Sequence, residues 1–554
     1  NRAYAQIAVT TTAIQAARRR HPVHRPATTR ATSSVSISHL LRRAVCSTFL
    51  PVAVNASRPA FQGSKSELIS SAKNELIGPE QYARLASGAA GEVAARVYPV
   101  YQKLLKEANA LDFDDLIFET VKMFRAHKDI LERWQQQFSY ILIDEYQDTN
   151  QAQYQITKLL ASAHHNICVV GDDWQSIYSW RGADFQNILD FNKDYPEAKL
   201  IKLEQNYRST KNILDAAHGV IAKNTVRSKK ELWTEREGGP AVRVEQAQSE
   251  AHEGEIIASH INDLMGSDQR HWRDFAVLYR TNAQSRALEE TFLKFRVPYK
   301  IVGGLRFYER KEIKDVLAYL RFIYQPDDFI SFGRIINVPP RGLGDKSVEV
   351  LSQYRVEVGL TLLEATLQAQ DISGLTARAK KSFVEFGQLM TALRRESETR
   401  SVESLIELVM KKTGYLEFVD DGSIQGAERA ENLKELLSVA REYQDLDLAS
   451  FLEEVALISD IDNYSLSTDA VTLMTLHAAK GLEFPVVFLP GMEEGIFPHS
   501  RSLFDHSQME EERRLCYVGM TRAKDQLFLL HASSRLLYGS SMHNPPSRFI
   551  QDIP

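Results

Sequence analysis

The chain has 554 residues, 44% of them hydrophobic and 25% charged, an ordinary globular composition and too much polypeptide for one core. It contains no run of apolar residues long enough to span a bilayer as a helix. Its three cysteines (Cys46, Cys168, Cys516) are too few for a disulfide framework or a zinc site. The net charge of -5 does not announce a nucleic-acid binder, but it leaves room for a local basic groove, because binding follows the local field and not the sum.

Residues 1–60 have a composition of their own. They hold nine Arg and no Asp, Glu or Lys, whereas the rest of the chain carries 58 basic against 72 acidic side chains. Three readings of this Arg/Ala/Ser/Thr segment are open. It fits an organelle transit peptide, a disordered basic arm that touches nucleic acid, or the product of a shifted reading frame or broken gene end. The chain opens on Asn1 and not Met, and the lack of a phosphate-binding loop further on favours the last reading.

From Ser64 to Leu131 apolar residues recur at three- and four-residue spacing (Val97, Val100, Tyr101, Leu104, Leu105), which predicts helices. Short apolar runs then alternate with helical stretches. The runs are Tyr140–Ile143, Ile167–Val170, Leu200–Leu203, Phe275–Tyr279, Val471–Thr475, Val486–Leu489 and Gln526–Leu530. Buried strands that alternate with helices predict an α/β fold with parallel sheets. Between about Arg306 and Ser465 the strand signals vanish, and amphipathic pieces such as Glu312–Arg321 and Leu433–Tyr443 predict an all-α insertion.

The chemistry-bearing residues sit at the ends of these runs. Ile141–Ile143 leads into Asp144 and Glu145. Ligands of open α/β sheets sit beyond strand carboxyl ends. There Asp144 could hold Mg²⁺ largely through water, and Glu145 could polarise an attacking water. Taken alone, the pair reads equally well as a cap of the next helix. Val169–Asp173 ends a second run and continues into Gln175, Tyr178, Trp180 and Arg181. Gln175 suits sensing of a terminal phosphate. The two aromatic faces with a cation suit stacking on unpaired bases, although a Trp is more often a core residue. Asn206–Thr210 places Arg208 on the turn after a third run, where an arginine can neutralise transition-state charge, and Tyr207 beside it could stack on a base. Two further segments, His477–Phe484 and Glu511–Ala523, complete the set, with Arg522 as a second phosphate contact.

These five segments, in this order, resemble the UvrD/PcrA/Rep family of superfamily 1 DNA helicases, and the resemblance runs from about Ser64 to the end. It implies two RecA-like parallel-sheet motor domains, the first incomplete here, with an all-α insertion domain. The implied boundaries are an atypical segment at 1–62, a remnant of the helical 1B domain at 63–108, and a partial motor domain 1A at 109–201. Motor domain 2A spans 202–305 and 466–554, and the helical 2B domain spans 306–465. It implies ATP and Mg²⁺ as ligands, with Asp144 on the metal. Glu145, Gln175, Arg208 and Arg522 would act at the phosphates, and Tyr207, Glu483 and His477 on the nucleotide side. Tyr178, Trp180, Arg181 and His499 would meet single-stranded DNA. Gly342 and Gly344, in the tight turn Arg341–Lys346, would offer backbone N–H groups to a duplex phosphate, against the plainer reading of a helix-capping turn. Trp174 departs from the family pattern, where an Asp is common. The implied activity is 3′-to-5′ translocation on single-stranded DNA and opening of single-strand/double-strand junctions in repair or replication, in the bacterial cytoplasm and away from membranes.

One part of the pattern is missing. The family's P-loop, G-x-x-x-x-G-K-[ST], supplies an amide cradle and a lysine for the phosphates, and Gly-Lys-Ser/Thr occurs nowhere in the sequence. Gly63-Ser64-Lys65-Ser66 is a decoy whose Gly does not directly precede the Lys. The expectation is therefore a truncated helicase motor that does not hydrolyse ATP alone. The competing reading is a non-enzymatic DNA-binding or regulatory protein that has shed its P-loop. It predicts decay of ATP-only residues, yet Gln175, Arg208, Glu483 and Arg522 are all in place.

Overall fold

A computed structural model describes residues 64–444, 446–461, 469–537 and 540–554. The three readings of residues 1–60 lie outside the described residues. Ser64–Asn74 is a helix, so Lys65 stands in a first helical turn and not in a loop that follows a strand. Helices Gly88–Glu107, Asp115–Ala126 and Lys128–Gln137 come after it. A buried lysine ties Ser64–Asn74 to the start of Asp115–Ala126: Lys73 Nζ lies 2.6 Å from Asp112 Oδ2 and 2.8 Å from Asp115 Oδ1.

Two parallel strands come next, β1 (Ile141–Ile143) and β2 (Ile167–Val169). The helix Gln151–Ala161 joins them and starts on a reciprocal cap, in which Asn150 accepts from the Gln153 amide and Gln153 from the Asn150 amide. The larger sheet has six parallel strands in the order β3-β8-β7-β4-β6-β5. They are β3 (Arg243–Ala247), β4 (Phe275–Tyr279), β5 (Tyr299–Ile301), β6 (Val471–Thr475), β7 (Phe484–Leu489) and β8 (Ala523–Ala532). All five residues of β4 are buried, as a central strand covered on both faces requires. One face packs Ala276, Leu278 and Val487 against helices α1 (Lys211–Ile221) and α4 (His506–Met520). The other packs Val277, Leu473 and Phe488 under Ile257, Ala258 and Ile261.

The sheet is built from two stretches of chain, and the described residues between β5 and β6 form a helical body with its own core, including Phe322, Phe332, Phe383, Phe386 and Leu405. Arg286 holds this body to the sheet. Its guanidinium, 1% exposed, reaches Glu435 at 2.7 Å and Glu442 at 2.8 Å on helix α3 (Ile424–Glu442) and Glu290 at 2.9 Å on α2 (Ser285–Lys294). Arg310 adds bonds to Asn432 and Ser285.

The α/β expectation is borne out, with two local corrections. Leu200–Leu203 is not a strand. Its Leu200, Ile201 and Leu203 are exposed, because no strand among the described residues lies beside them to supply a ladder. In the other direction, β3 and β5 were not expected. β3 carries Arg243 and Glu245 on an edge strand whose first residues are exposed, and β5 has only three residues. Neither shows the continuous apolar run that marks a covered strand.

Candidate functional site

β1 ends at the buried Ile143, and the chain then turns sharply. Glu145 takes φ 53°, a left-handed conformation that costs a non-glycine residue energy. The Asp144 carboxylate accepts from the Glu145 amide at 2.9 Å, and Gln147 Nε2 donates to Glu145 Oε2 at 2.6 Å. Both carboxylates therefore stand at a strand's carboxyl end, as expected. Gln147 also accepts from the Asp172 amide at 2.9 Å, which draws the end of β2 to the end of β1. A Cβ on Gly171 would meet Gln147 Oε1 at 2.4 Å, so a larger residue there would displace the Gln147 side chain.

The run Asp172–Ser179 then crosses to the larger sheet, and seven of its eight residues make polar contact with it or with residues 228–230. Asp172 and Asp173 engage Lys230 and Ser228. Trp174 donates its indole N–H to the Ser228 carbonyl at 3.3 Å. The Gln175 carbonyl accepts from Lys480 at 2.7 Å, and its side-chain oxygen from Arg522 at 3.3 Å. The Ser176 carbonyl accepts from Arg514 at 2.9 Å. Tyr178 O–H donates to the His477 carbonyl at 3.3 Å, and the Ser179 amide to Glu511 at 3.1 Å. Trp174 and the remaining residue, Ile177, are buried in the larger sheet's core.

Beside this seam lies a cavity of about 740 Å³ lined by Gln175, Tyr207, Arg208, Arg236, Glu483 and Lys524, among others. Its larger-sheet wall comes from the amino ends of β7 and β8, not from strand carboxyl ends. Arg208 Nε donates to Glu483 Oε2 at 2.8 Å, and Lys524 Nζ lies 2.8 Å from Glu483 Oε1. The Lys524 bond, with Arg208 adding to it, holds the Glu483 carboxyl down at about 2. Arg522 is 1% exposed. Burial and the nearby Arg208 charge lower its guanidinium to about 10. Tyr207 stands exposed at the mouth, its hydroxyl donating to Gln205 at 2.6 Å.

Next to the cavity, Lys480 Nζ bonds to Asp148 and sits 3.5 Å from Glu145 Oε2. Burial raises Asp148 to about 6 in spite of that lysine. At the far end of the seam, the Arg181 guanidinium lies 4.4 Å from the Trp180 ring and 5.7 Å from the Tyr178 ring. Trp180 is 41% exposed and so is not a core residue; the buried tryptophan is Trp174, at 1%.

Four expected residues sit differently from their sequence placement. His477 is not at the cavity: its ring lies 6.5 Å from that of Tyr178, on the stacking side, because the loop after β6 begins at the sheet end opposite Glu483. His499 turns inward, with Nε2 4.0 Å from Glu431 and Nδ1 accepting from the Arg501 amide. Burial lowers His477 to about 3 and His499 to about 4. In the Arg341–Lys346 turn, Asn337 Oδ1 already accepts from the Arg341 and Leu343 amides, so those two are not free for a phosphate. Gly342 has φ +72°, and a Cβ on it would meet the Arg378 guanidinium at 3.0 Å. Gly344 caps the helix Asp345–Val358.

Sequence reading missed Lys480, Asp148, Arg236, Lys524 and Glu511. Lys480 and Glu511 lie inside the segments His477–Phe484 and Glu511–Ala523, so they were within reach. Arg236 was not: it bonds to the carbonyls of Arg208 and Lys524 and to Asp525 at 2.7 Å, and only the fold brings those together.

Two family profiles match the chain. The one described as UvrD/REP helicase N-terminal domain matches residues 10–196, beginning ahead of Ser64, and the one described as UvrD-like helicase C-terminal domain matches residues 201–534. An ATP-dependent DNA helicase PcrA of Bacillus subtilis is 50% identical over 497 residues, 88% of this chain and 67% of the relative. Proteins of the same name are 48% identical in Leuconostoc citreum and 47% in Staphylococcus epidermidis, each over 88% of this chain and over 66% and 68% of the relative. The chain thus spans about two thirds of the length of these relatives.

Proposed function

The chain belongs to the UvrD/Rep family of helicases, and on that premise we propose that it is a PcrA-like motor. It would be an ATP-dependent helicase that moves 3′ to 5′ on single-stranded DNA and opens single-strand/double-strand junctions in repair or replication. The observation that carries this is the Asp172–Ser179 seam, which joins the charged cavity to the exposed aromatic group. Such a link is what coupling of a nucleotide to a DNA strand needs.

The residues fit a nucleoside triphosphate. Arg208, Arg522, Lys480 and Gln175 cluster where terminal phosphates would lie, and Tyr207 offers an exposed ring to a base at the mouth. Glu145 would hold and polarise an attacking water, and Arg208, once released from Glu483, would neutralise developing charge. Mg²⁺ supplies charge neutralisation between phosphate oxygens when bound. Asp144 would hold it largely through water, in keeping with Mg²⁺ sites that use few carboxylates. Tyr178, Trp180 and Arg181 would stack on bases and hold phosphates. We place the protein in the bacterial cytoplasm on its relatives' sources; no helix among the described residues is long and apolar enough to cross a membrane.

The sequence contains no Gly-Lys-Ser/Thr. On that reading of the sequence, we propose that these 554 residues do not supply the P-loop lysine that fixes β- and γ-phosphates and do not turn ATP over alone. ATPase assays with and without single-stranded DNA test both parts. Stimulated turnover that Glu145→Gln abolishes would establish the base and refute the inactivity. No turnover, with DNA binding that falls steeply with salt, supports a motor without its phosphate cradle. Neither turnover nor DNA binding would sink the proposal. A non-enzymatic DNA-binding role is the second reading, favoured by the missing P-loop. The ion-paired Arg208 and Glu483 and the Gln175–Arg522 bond weigh against it, since such a role has no use for them.

A further inference from the structure

Helix α4 touches the seam and the cavity at once. Near its first turns, Glu511 accepts from both the amide and the hydroxyl of Ser179, the residue before Trp180. One turn on, the buried Arg514 donates to the Ser176 carbonyl and lies 4.7 Å from the Phe185 ring. Another turn on, Tyr517 lines the cavity and meets Trp174 edge-on at 5.6 Å. Just past the helix end, Arg522 reaches Gln175. Successive turns of one helix therefore grip the same short run from its stacking end to its cavity end. A helix of fifteen residues transmits a shift at one end to the other as a rigid rod.

We infer that Glu511 is a positioning residue, which clamps Ser179 and so fixes the pitch of the Tyr178–Trp180–Arg181 platform toward a single strand, with α4 tying that pitch to the cavity. The inference rests on the reading of the platform as a DNA contact. Ser179 sits in a single helical turn, Ser179–Arg181, that closes on Gly182 at φ +80°. None of the three residues of this turn is buried, so core packing does not fix its orientation and an outside hold can. Glu511 supplies two acceptor oxygens to it, and charge-assisted bonds of this kind are the stronger ones.

The charge of Glu511 makes the test sharp. Removing a carboxylate beside a phosphate-binding surface should tighten DNA binding on Coulombic grounds; removing a positioning clamp should weaken it. Fluorescence anisotropy with a labelled oligo-dT measures the affinity. Glu511→Ala is expected to weaken binding about tenfold, the scale of one charge-assisted hydrogen bond. Ser179→Ala removes the hydroxyl bond and keeps the amide one, so it should weaken binding less, and the double variant should bind no more weakly than Glu511→Ala alone. Unchanged or tighter binding by Glu511→Ala, or effects of the two substitutions that simply multiply, overturns the inference. Trp180→Ala separates it from its premise. If Trp180→Ala binds as well as the native chain, the platform reading itself falls. If Trp180→Ala loses affinity while Glu511→Ala keeps it, only the clamp falls. Should Glu511→Ala fail to fold, Glu511→Gln decides: it removes the charge and one of the two acceptor oxygens, so weakened binding supports the clamp, and unchanged or tighter binding refutes it.

Discussion

Arg208 and Glu483 stand 275 positions apart in the chain and meet at 2.8 Å on the wall of the cavity. Lys524 shares the same carboxylate from the other side. Glu483 therefore holds two cations that would otherwise face an anion. Neutralising it as Glu483→Gln should raise the affinity for tripolyphosphate about two- to fivefold, the scale of one partly exposed charge interaction. Titration calorimetry reads this, and weaker tripolyphosphate binding by the variant would contradict it.

The two neighbouring tryptophans should respond in opposite ways. Trp180, exposed beside Arg181, should behave as a ligand contact. Trp180→Ala is expected to keep the fold and lose about 1–3 kcal/mol of single-strand affinity. Trp174, buried between His218 and Tyr517 with Lys230 over its ring, should behave as core. Trp174→Ala is expected to cost about 3–5 kcal/mol of stability. Urea melts and anisotropy on both variants check the contrast.

Lys480 is 7% exposed and bridges Asp148 and the Gln175 carbonyl. Lys480→Met leaves the half-buried Asp148 carboxylate without that partner and should cost about 1–3 kcal/mol at neutral pH. Adding Asp148→Asn should restore part of that loss. A double variant less stable than Lys480→Met would show that the two groups do not act as a pair.

Acid should loosen the larger sheet's loops through two histidines. Burial first, and Arg280's charge second, lower His477 to about 3 and His499 to about 4, against 6.5 for an ordinary His. The unfolded chain binds those protons first as pH falls. The stability they contribute is therefore full above about 6.5 and drains away as pH drops toward 4 and 3. Asp148, raised to about 6, works in the opposite sense between about 4 and 6. Urea midpoints of His477→Gln and His499→Gln between pH 4 and 7 should show a shallower loss than the native chain; an identical slope would refute the assignment.

Arg286 joins the helical body to the sheet through Glu435 and Glu442, while Glu290 braces it from its own helix. Arg286→Met should destabilise by about 3–5 kcal/mol, since it removes the cation that faces the buried Glu435 carboxylate. The loss should show first as separate unfolding of the helical body in a calorimetric scan. A single transition at the native midpoint would mean that the contact does not hold the two together.

The sequence by itself determined the alternation of covered strands and helices, the place of the helical insertion, and the positions of most cavity and platform residues. These are local properties. A strand buried on both faces must be apolar along its length, as Phe275–Tyr279 is, and carboxylates such as Asp144 and Glu145 gather where such a run ends. The tertiary structure alone decided which partners those residues meet. Leu200–Leu203 has the composition of a strand but no neighbour among the described residues, and a strand without a ladder is only an exposed apolar segment. His477 and Glu483 lie six residues apart yet face opposite ends of a sheet, because the loop between β6 and β7 runs the length of the strands. Glu511 looks in sequence like one more acid on a charged helix face. It becomes a clamp on Ser179, 332 positions away, only because the two segments pack side by side. Pairings over such separations depend on how the sheets and helices pack, and no local pattern in the chain encodes them.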